Sequence, residues 1–281
     1  MTGFLNAVVA VCIPLFIVSS MLAIGSSVTW RQVITPLRNR RLLAAAVGVN
    51  FLVAPGLAWL LAYVFALSPP HATGLILLGV AAGAPFLPKL VEVAHADLPS
   101  SVALMVMLTV ATILLMPLAL PFLIADFDLN AWAIAKPLLV TMLLPLACAM
   151  ALRHFAQRFC ARCRPAMTLI ANLSLAVLMV LLIGLNARAF AAIVGSGAML
   201  CGVLLSLFVF MAGYTLGGGG GQIAGAVGLA AGARNVGAAL PIATANGDPR
   251  VVVMLLAATL AGIFVLLIAA RWVRRRGHAS A

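Results

Sequence analysis

The chain has 281 residues, of which 65% are hydrophobic and only 8% are charged, and its formal net charge is +12. Soluble domains carry roughly 25% charged residues, so this composition excludes a soluble protein and predicts an all-α polytopic membrane protein. The positive charge does not indicate a nucleic-acid partner, because no basic stretch of the sequence is interleaved with the aromatic residues that stack on bases.

Apolar runs divide the chain into nine predicted crossings, each near the length of about 20 residues that a bilayer requires. In chain order they cover about residues 4–26, 42–66, 73–95, 99–124, 132–152, 167–187, 193–215, 222–246 and 250–270. The third and the eighth are predicted to be interrupted. The chain is therefore treated as one transmembrane domain, with the lipid bilayer as its surroundings.

Arginines cluster after the first, fifth and ninth crossings, which all end on the same side of the membrane. The clusters comprise Arg31, Arg38, Arg40 and Arg41, then Arg153, Arg158, Arg162 and Arg164, then Arg271, Arg274, Arg275 and Arg276. Cytoplasmic loops are enriched in Lys and Arg, so this side is predicted to be the cytoplasm. We expect an inner-membrane protein with its N-terminus outside and its C-terminus inside the cell.

The third crossing carries two prolines and two charged residues near its middle. Pro85 and Pro88 each lack a backbone donor and clash with the preceding helical turn, so they predict a break. Lys89 and Glu92 follow three residues apart, a spacing that allows a local ion pair if this segment is helical. Glu92 is also a candidate proton carrier.

The eighth crossing carries a guanidinium in the middle of an apolar run. Gly232 and Gly237 flank Arg234 and Asn235, which is typical of a helix interrupted at the membrane midplane. An ionisable residue at this depth usually faces a protein or water-filled interior. Arg234 is predicted to line a central cavity; the alternative is a structural pair with Glu92. Two interrupted, charged crossings indicate a transporter's binding site.

Three further polar residues lie within the predicted crossings and complete the set of candidate substrate- or ion-binding residues, which are Arg234, Asn235, Lys89, Glu92, Asn50, Thr109 and Thr112. Asn50 lies in the second, where a buried amide most often joins helices. Thr109 and Thr112 lie about one turn apart in the fourth, where such hydroxyls mostly bind their own helix. The sequence contains no Ser-His-Asp, Cys-His or metal-ligand set at a common depth, so we expect no enzyme activity, no metal and no cofactor. It gives no indication of an oligomeric state.

Several segments, taken in order, resemble the bile acid:sodium symporter family, within the wider superfamily that includes arsenite and auxin-type carriers. They are Met21-Leu22-Ala23-Ile24-Gly25, residues 50–60 with Pro55 and Trp59, Ala84-Pro85, Ala94-His95-Ala96-Asp97, residues 101–117, and Gly232-Ala233-Arg234-Asn235. The resemblance covers about residues 13–270. It implies a secondary transporter with a panel domain and a core domain, built from inverted repeats, in which the third and eighth crossings are discontinuous and cross at the centre. It also implies that the first helix of the ten-helix form is absent.

The sequence differs from that family at the sodium sites. The family's Glu-x-Gly-x-Gln-Asn reads Ala230-Ala-Gly-Ala-Arg234-Asn235, and the family's glutamine of the second crossing is Asn50. A guanidinium offers only donors, so Arg234 argues against sodium coupling. We expect a carrier of a small organic anion in which Lys89 and Arg234 replace sodium. The alternatives are a proton-coupled carrier that uses Glu92, or a membrane sensor or binding protein that does not transport.

Overall fold

A computed structural model describes residues 2–34, 39–124, 130–194, 197–218 and 221–279, and these residues form helices and no strands. The helices are, in chain order, α1 Thr2–Gly25, α2 Trp30–Ile34, α3 Arg40–Gly48, α4 Ala54–Val64, α5 Pro69–Val80, α6 Leu87–Ala94, α7 Leu98–Leu123, α8 Ala131–Leu138, α9 Leu144–Phe155, α10 Gln157–Leu185, α11 Ala187–Val194, α12 Ala198–Leu216, α13 Gly221–Gly232, α14 Val236–Ala245 and α15 Pro249–Ala279. Arg38 of the first arginine cluster lies outside the described residues. The chain is an all-α polytopic membrane protein, as its composition predicts.

Eight helical segments of the described part are long and apolar enough to cross a membrane, by length and composition. The predicted third crossing is not one of them because it consists of α5 and α6, which have 12 and 8 residues. The predicted eighth crossing also consists of two helices, α13 and α14, separated by residues 233–235. Both predicted interruptions are therefore present.

Two wider helical turns lie within the second and fifth crossings. The π-helical turns Val49–Val53 and Leu139–Leu143 join α3 to α4 and α8 to α9. Each ends two residues before a proline, Pro55 or Pro145. A proline cannot donate to the preceding turn and its ring crowds that turn, so a local widening relieves the clash.

Several helices extend beyond the predicted crossings. The sixth was predicted at 167–187, but α10 begins at Gln157 and includes the second arginine cluster from Arg158 onward. Likewise, α15 continues past residue 270 through the third cluster. Hydropathy detects the part of a helix that suits lipid, whereas backbone hydrogen bonds continue through polar residues. These helices are therefore longer than the apolar runs that predict the crossings.

The seventh crossing, predicted to begin at residue 193, begins later. A separate short helix, α11, covers Ala187–Val194, and α12 begins at Ala198. Gly197 immediately before α12 has a φ of 73°, a left-handed conformation that redirects the chain between the two helices.

The helices form two groups. In one, α1 packs on α9 and α10; in the other, α12 packs on α13 and α15, and α5 packs on α4 and α15. The second group contains both interrupted crossings. Within the described chain, 94% of the most apolar part of Gly221–Ala245 is buried, against 22% for Gln157–Leu185. The interrupted eighth crossing therefore lies at the centre of its group, where its free backbone groups are shielded from lipid.

Candidate functional site

The first interruption lies at residues 81–86 between α5 and α6. It includes Pro85, whereas Pro88 lies in the first turn of α6, where its missing N–H is not needed. The Thr112 hydroxyl accepts from the backbone N–H of Ala82 at 3.0 Å and donates to its carbonyl at 3.1 Å. The hydroxyl of Thr109 lies 2.9 Å from the Gly83 carbonyl and 2.8 Å from that of Met105. Both threonines thus bind the interrupted backbone, and Thr109 also binds a carbonyl of its own helix.

Gly83 is required at this interruption for two reasons. Its φ is 80°, in the left-handed region that side chains rarely adopt. A Cβ atom there would also lie 2.4 Å from the backbone nitrogen of Thr109 and 2.5 Å from its hydroxyl oxygen. The absence of a side chain lets α7 approach closely enough for Thr109 to bind the Gly83 carbonyl.

The second interruption is joined to the first through Asn235. Its backbone N–H donates to the Ala81 carbonyl at 2.9 Å, and its side-chain Nδ2 donates to the Gly83 carbonyl at 3.0 Å. Its Oδ1 accepts from the backbone N–H of Ala238 at 3.2 Å and so caps α14. Asn235 therefore holds the two interrupted helices together where they cross.

Arg234 occupies the centre of this crossing and is only 3% exposed. Its Nη1 donates to the Gly79 carbonyl at 3.1 Å, while its Nη2 donates to Asn50 Oδ1 and to the Ala231 carbonyl. Gly79 and Ala231 lie in the last turns of α5 and α13, where carbonyls lack partners within the helix. The guanidinium therefore binds the carboxyl ends of both interrupted helices, and these ends carry partial negative charge.

Asn50 reaches Arg234 from the π-helical turn of the second crossing. Its Nδ2 donates to the Ala46 carbonyl at 2.8 Å, which leaves Oδ1 to accept from the guanidinium. The residue is completely buried. The structure thus brings together two of the residues that the resemblance assigns to sodium sites in the family, Asn50 and Arg234.

A small pocket lies beside Arg234, with room for about one water molecule. Its wall is formed by Leu78, Phe86, Ser206, Gly232, Arg234, Ala258, Thr259, Gly262, Ile263 and Leu266. The Nε–H of Arg234 is buried and has no acceptor among the described residues. Ser206 and Thr259 were not singled out from the sequence, because hydroxyl residues are common in transmembrane helices and only the packing of α12 and α15 places them here.

Lys89 and Glu92 do not join this group. Both are exposed residues of α6, and within the described chain neither forms an ion pair with the other or with Arg234. The alternative in which Arg234 pairs with Glu92 is therefore wrong. Glu92 lies close to the interruption in sequence, but it is on the exposed side of α6.

Part of the chain matches a known family. A model described as the sodium bile acid symporter family matches residues 14–193, which is more than half of the chain. The chain belongs to the sodium bile acid symporter family. The matched residues include the first interrupted crossing and end before the second, so Arg234 and Asn235 lie outside the match. No curated protein matches the chain.

Proposed function

We propose that this family member is a secondary transporter of a small organic anion that works without sodium, and that Arg234 supplies the positive charge at the crossing of the interrupted helices. The observation that carries the proposal is the set of oxygens around the guanidinium. Carbonyls at both helix carboxyl ends and the Asn50 amide all accept from it.

This oxygen set is of the kind that holds a cation in discontinuous-helix transporters. In such proteins, carbonyls of unwound backbone and half-helix carboxyl ends coordinate Na⁺. Here a fixed guanidinium donates to such oxygens, and it cannot itself coordinate a metal ion because it offers only donors. A permanently bound positive charge in this place supports transport that does not depend on sodium.

The positive net charge at the crossing of the interrupted helices supports an anionic substrate. Each interruption contributes one carboxyl end and one amino end, whose partial charges of opposite sign cancel. The charge of Arg234 therefore remains. Of the carboxylates in the described chain, Glu92 is exposed, Asp97 caps α7 and Asp248 pairs with Arg250. An anion bound near the amino ends of α6 and α14 would balance the guanidinium.

The orientation in the membrane is part of the proposal. We place the protein in the inner membrane with its N-terminus outside and its C-terminus in the cytoplasm. One contact supports the placement of the first two arginine clusters on the same side of the membrane. Arg153 Nη1, near the end of α9, donates to the Ser26 carbonyl just after α1 at 2.6 Å. The two helices therefore end next to each other.

The test is a binding and transport assay with sodium replaced by potassium. Purified protein is screened for thermal stabilisation by small organic anions, and the anions that bind are then followed into proteoliposomes. We expect equal binding and uptake in the two salts. Uptake that requires sodium in the unmodified protein would contradict the proposal.

Two variants separate the charge of Arg234 from the shape of its surroundings. Asn50→Asp places a carboxylate on the guanidinium without a change of size, and Arg234→Gln removes the charge. Each should weaken organic-anion binding by about tenfold to a hundredfold, the usual effect of one charge-assisted hydrogen bond. Lys89→Gln is the matched control, because it removes an exposed cation of α6 and leaves Arg234 unchanged. Anion binding that depends on Lys89 and not on Arg234 would move the site to α6.

A further inference from the structure

The carboxyl-terminal part of α15 carries a dense group of positive charges. Arg271, Arg274, Arg275 and Arg276 lie within one short stretch of this helix. Arg271 and Arg275 are exposed, and neither guanidinium donates a hydrogen bond or forms an ion pair within the described chain. Like charges one helical turn apart repel each other, so this pair is more stable when an anion lies beside it.

The two arginines share a helix face with two exposed apolar side chains. Phe264, Ile268, Arg271 and Arg275 follow one another at spacings of four, three and four residues, which keeps them on one side of an α-helix. Phe264 is 67% exposed and Ile268 is 69% exposed. Such a face contacts lipid in a membrane. The acyl chains of a lipid would lie against the two apolar side chains, with the guanidiniums next along the same surface.

The length of α15 places these arginines at the level of the lipid headgroups. The helix has 31 residues, which at a rise of about 1.5 Å per residue correspond to the thickness of a bilayer with both headgroup layers. The charged pair Asp248–Arg250 marks one boundary of the bilayer at the start of the helix. About 20 residues cross the hydrocarbon core, so Arg271 and Arg275 lie just beyond it, where lipid phosphates lie.

Trp272 fixes the rotation of α15 at this level. Its ring packs edge-to-face on that of Tyr214 in α12, with the ring centres 5.0 Å apart. The guanidinium carbon of Arg276 lies 4.3 Å from the centre of the Trp272 ring. Trp and Tyr are enriched at the boundary between membrane and water. Because Trp272 holds its side of the helix against α12, Arg271 and Arg275 are directed toward the surrounding lipid.

We propose that Arg271 and Arg275 bind the phosphodiester of an anionic phospholipid, whose acyl chains lie along Phe264 and Ile268. A guanidinium matches a phosphate group with two parallel hydrogen bonds. A cluster of at least about four basic residues directly after a transmembrane helix is typical of binding to anionic lipid. The site is separate from Arg234 and requires neither an organic-anion substrate nor independence of sodium, so this inference and the proposed function can fail separately.

The experiment counts the phospholipid molecules that remain bound to the purified full chain in detergent, by native mass spectrometry. Phosphatidylglycerol, which has a net negative charge, is compared with phosphatidylcholine, whose phosphate is neutralised by choline. Phosphatidylglycerol should bind at least about tenfold more tightly. Glycerol phosphate is added as a soluble competitor without acyl chains, and it should not displace the lipid, because the face formed by Phe264 and Ile268 contributes to binding.

Two pairs of substitutions on α15 separate charge from geometry. Arg271→Gln together with Arg275→Gln should weaken phosphatidylglycerol binding by about thirtyfold, since each basic residue at a membrane surface contributes about fivefold. Arg271→Lys together with Arg275→Lys keeps both charges but loses the planar fork, so the loss should be smaller, about threefold to fivefold. The affected side chains are exposed, so both double variants should keep the melting temperature of the unmodified protein without added lipid.

A matched control lies on α10. Arg158 and Arg162 are also exposed and one turn apart, but residues 157–159, 161 and 162 are all exposed, so this part of α10 is not packed as α15 is. Arg158→Gln together with Arg162→Gln should leave phosphatidylglycerol binding unchanged.

Each result supports or overturns the site. Phosphatidylglycerol binding that only the α15 substitutions weaken supports it. Equal losses in the α10 and α15 variants mean that lipid responds to the total charge at this end of the protein, which overturns it. Equal affinities for the two lipids in the unmodified protein also overturn it. Displacement by glycerol phosphate would identify a site for a soluble phosphate instead of a lipid.

Discussion

The two interruptions contribute different chemistry to the crossing. The first covers residues 81–86 and supplies mainly backbone acceptors, namely the carbonyls of Ala81, Ala82 and Gly83. The second covers only residues 233–235 and supplies two donor side chains. Asn235 donates to the Gly83 carbonyl of the first interruption, and Arg234 donates to the Gly79 carbonyl in the last turn of α5. Breaking a helix releases carbonyls that lipid cannot satisfy, and a second broken helix with donor side chains satisfies them. Each interruption is therefore stable only beside the other.

The largest expected effect is that of Gly83→Ala, which tests whether the first interruption requires close approach of α7. The new Cβ would meet Thr109 at 2.4 Å, and alanine would have to adopt a left-handed conformation. We expect a loss of about 2–5 kcal/mol in the free energy of unfolding, seen as a lower melting temperature. Gly184→Ala is the matched control, since no atom lies within 4 Å of its added Cβ. Equal melting temperatures for the two variants would contradict the described geometry.

A smaller effect is expected from Asn235→Ala, which tests the link between the interruptions. The substitution removes the cap of α14 and one donor to the Gly83 carbonyl. The backbone bond from Asn235 to Ala81 remains, so the loss should be about 2–3 kcal/mol. Asn246→Ala, after the end of α14, serves as a control with an amide outside the crossing and should leave the melting temperature unchanged. A loss no larger than that of the control would show that the side chain does not join the helices.

The smallest effects are expected from the two threonines, and they should differ from each other. Thr112→Val leaves both the N–H and the carbonyl of Ala82 without their partner, so it should cost about 2 kcal/mol. Thr109→Val should cost below about 1 kcal/mol, because the Gly83 carbonyl still accepts from Asn235. Valine matches the shape of threonine, so melting temperatures compare the hydrogen bonds alone. A greater loss for Thr109→Val would mean that Asn235 does not satisfy Gly83 by itself.

Comparison of Arg234 with Lys89 shows which properties of a membrane residue can be predicted from the sequence and which cannot. Both are cations beside an interruption in an apolar run, and both were predicted to line the crossing. Arg234 is 3% exposed and binds three oxygens, whereas Lys89 is exposed on α6. A sequence gives the depth of a residue in the membrane through its distance along the helix, but the direction in which its side chain points depends on how the helix is packed.

The sequence by itself determined the membrane class and the two interruptions, and it placed Arg234 and Asn235 at the second of them. These features follow from properties of single residues, since hydropathy, the breaking of helices by glycine and proline, and the cost of a buried charge all act locally. Tertiary structure alone decided that Thr109 and Thr112 bind the first interruption, that Asn50 accepts from Arg234, and that Ser206 lines the same small pocket as Arg234. Those contacts join residues up to 184 positions apart in the chain. They exist because each interruption leaves particular backbone groups free, and only the packing of neighbouring helices determines which side chains come close enough to bind them.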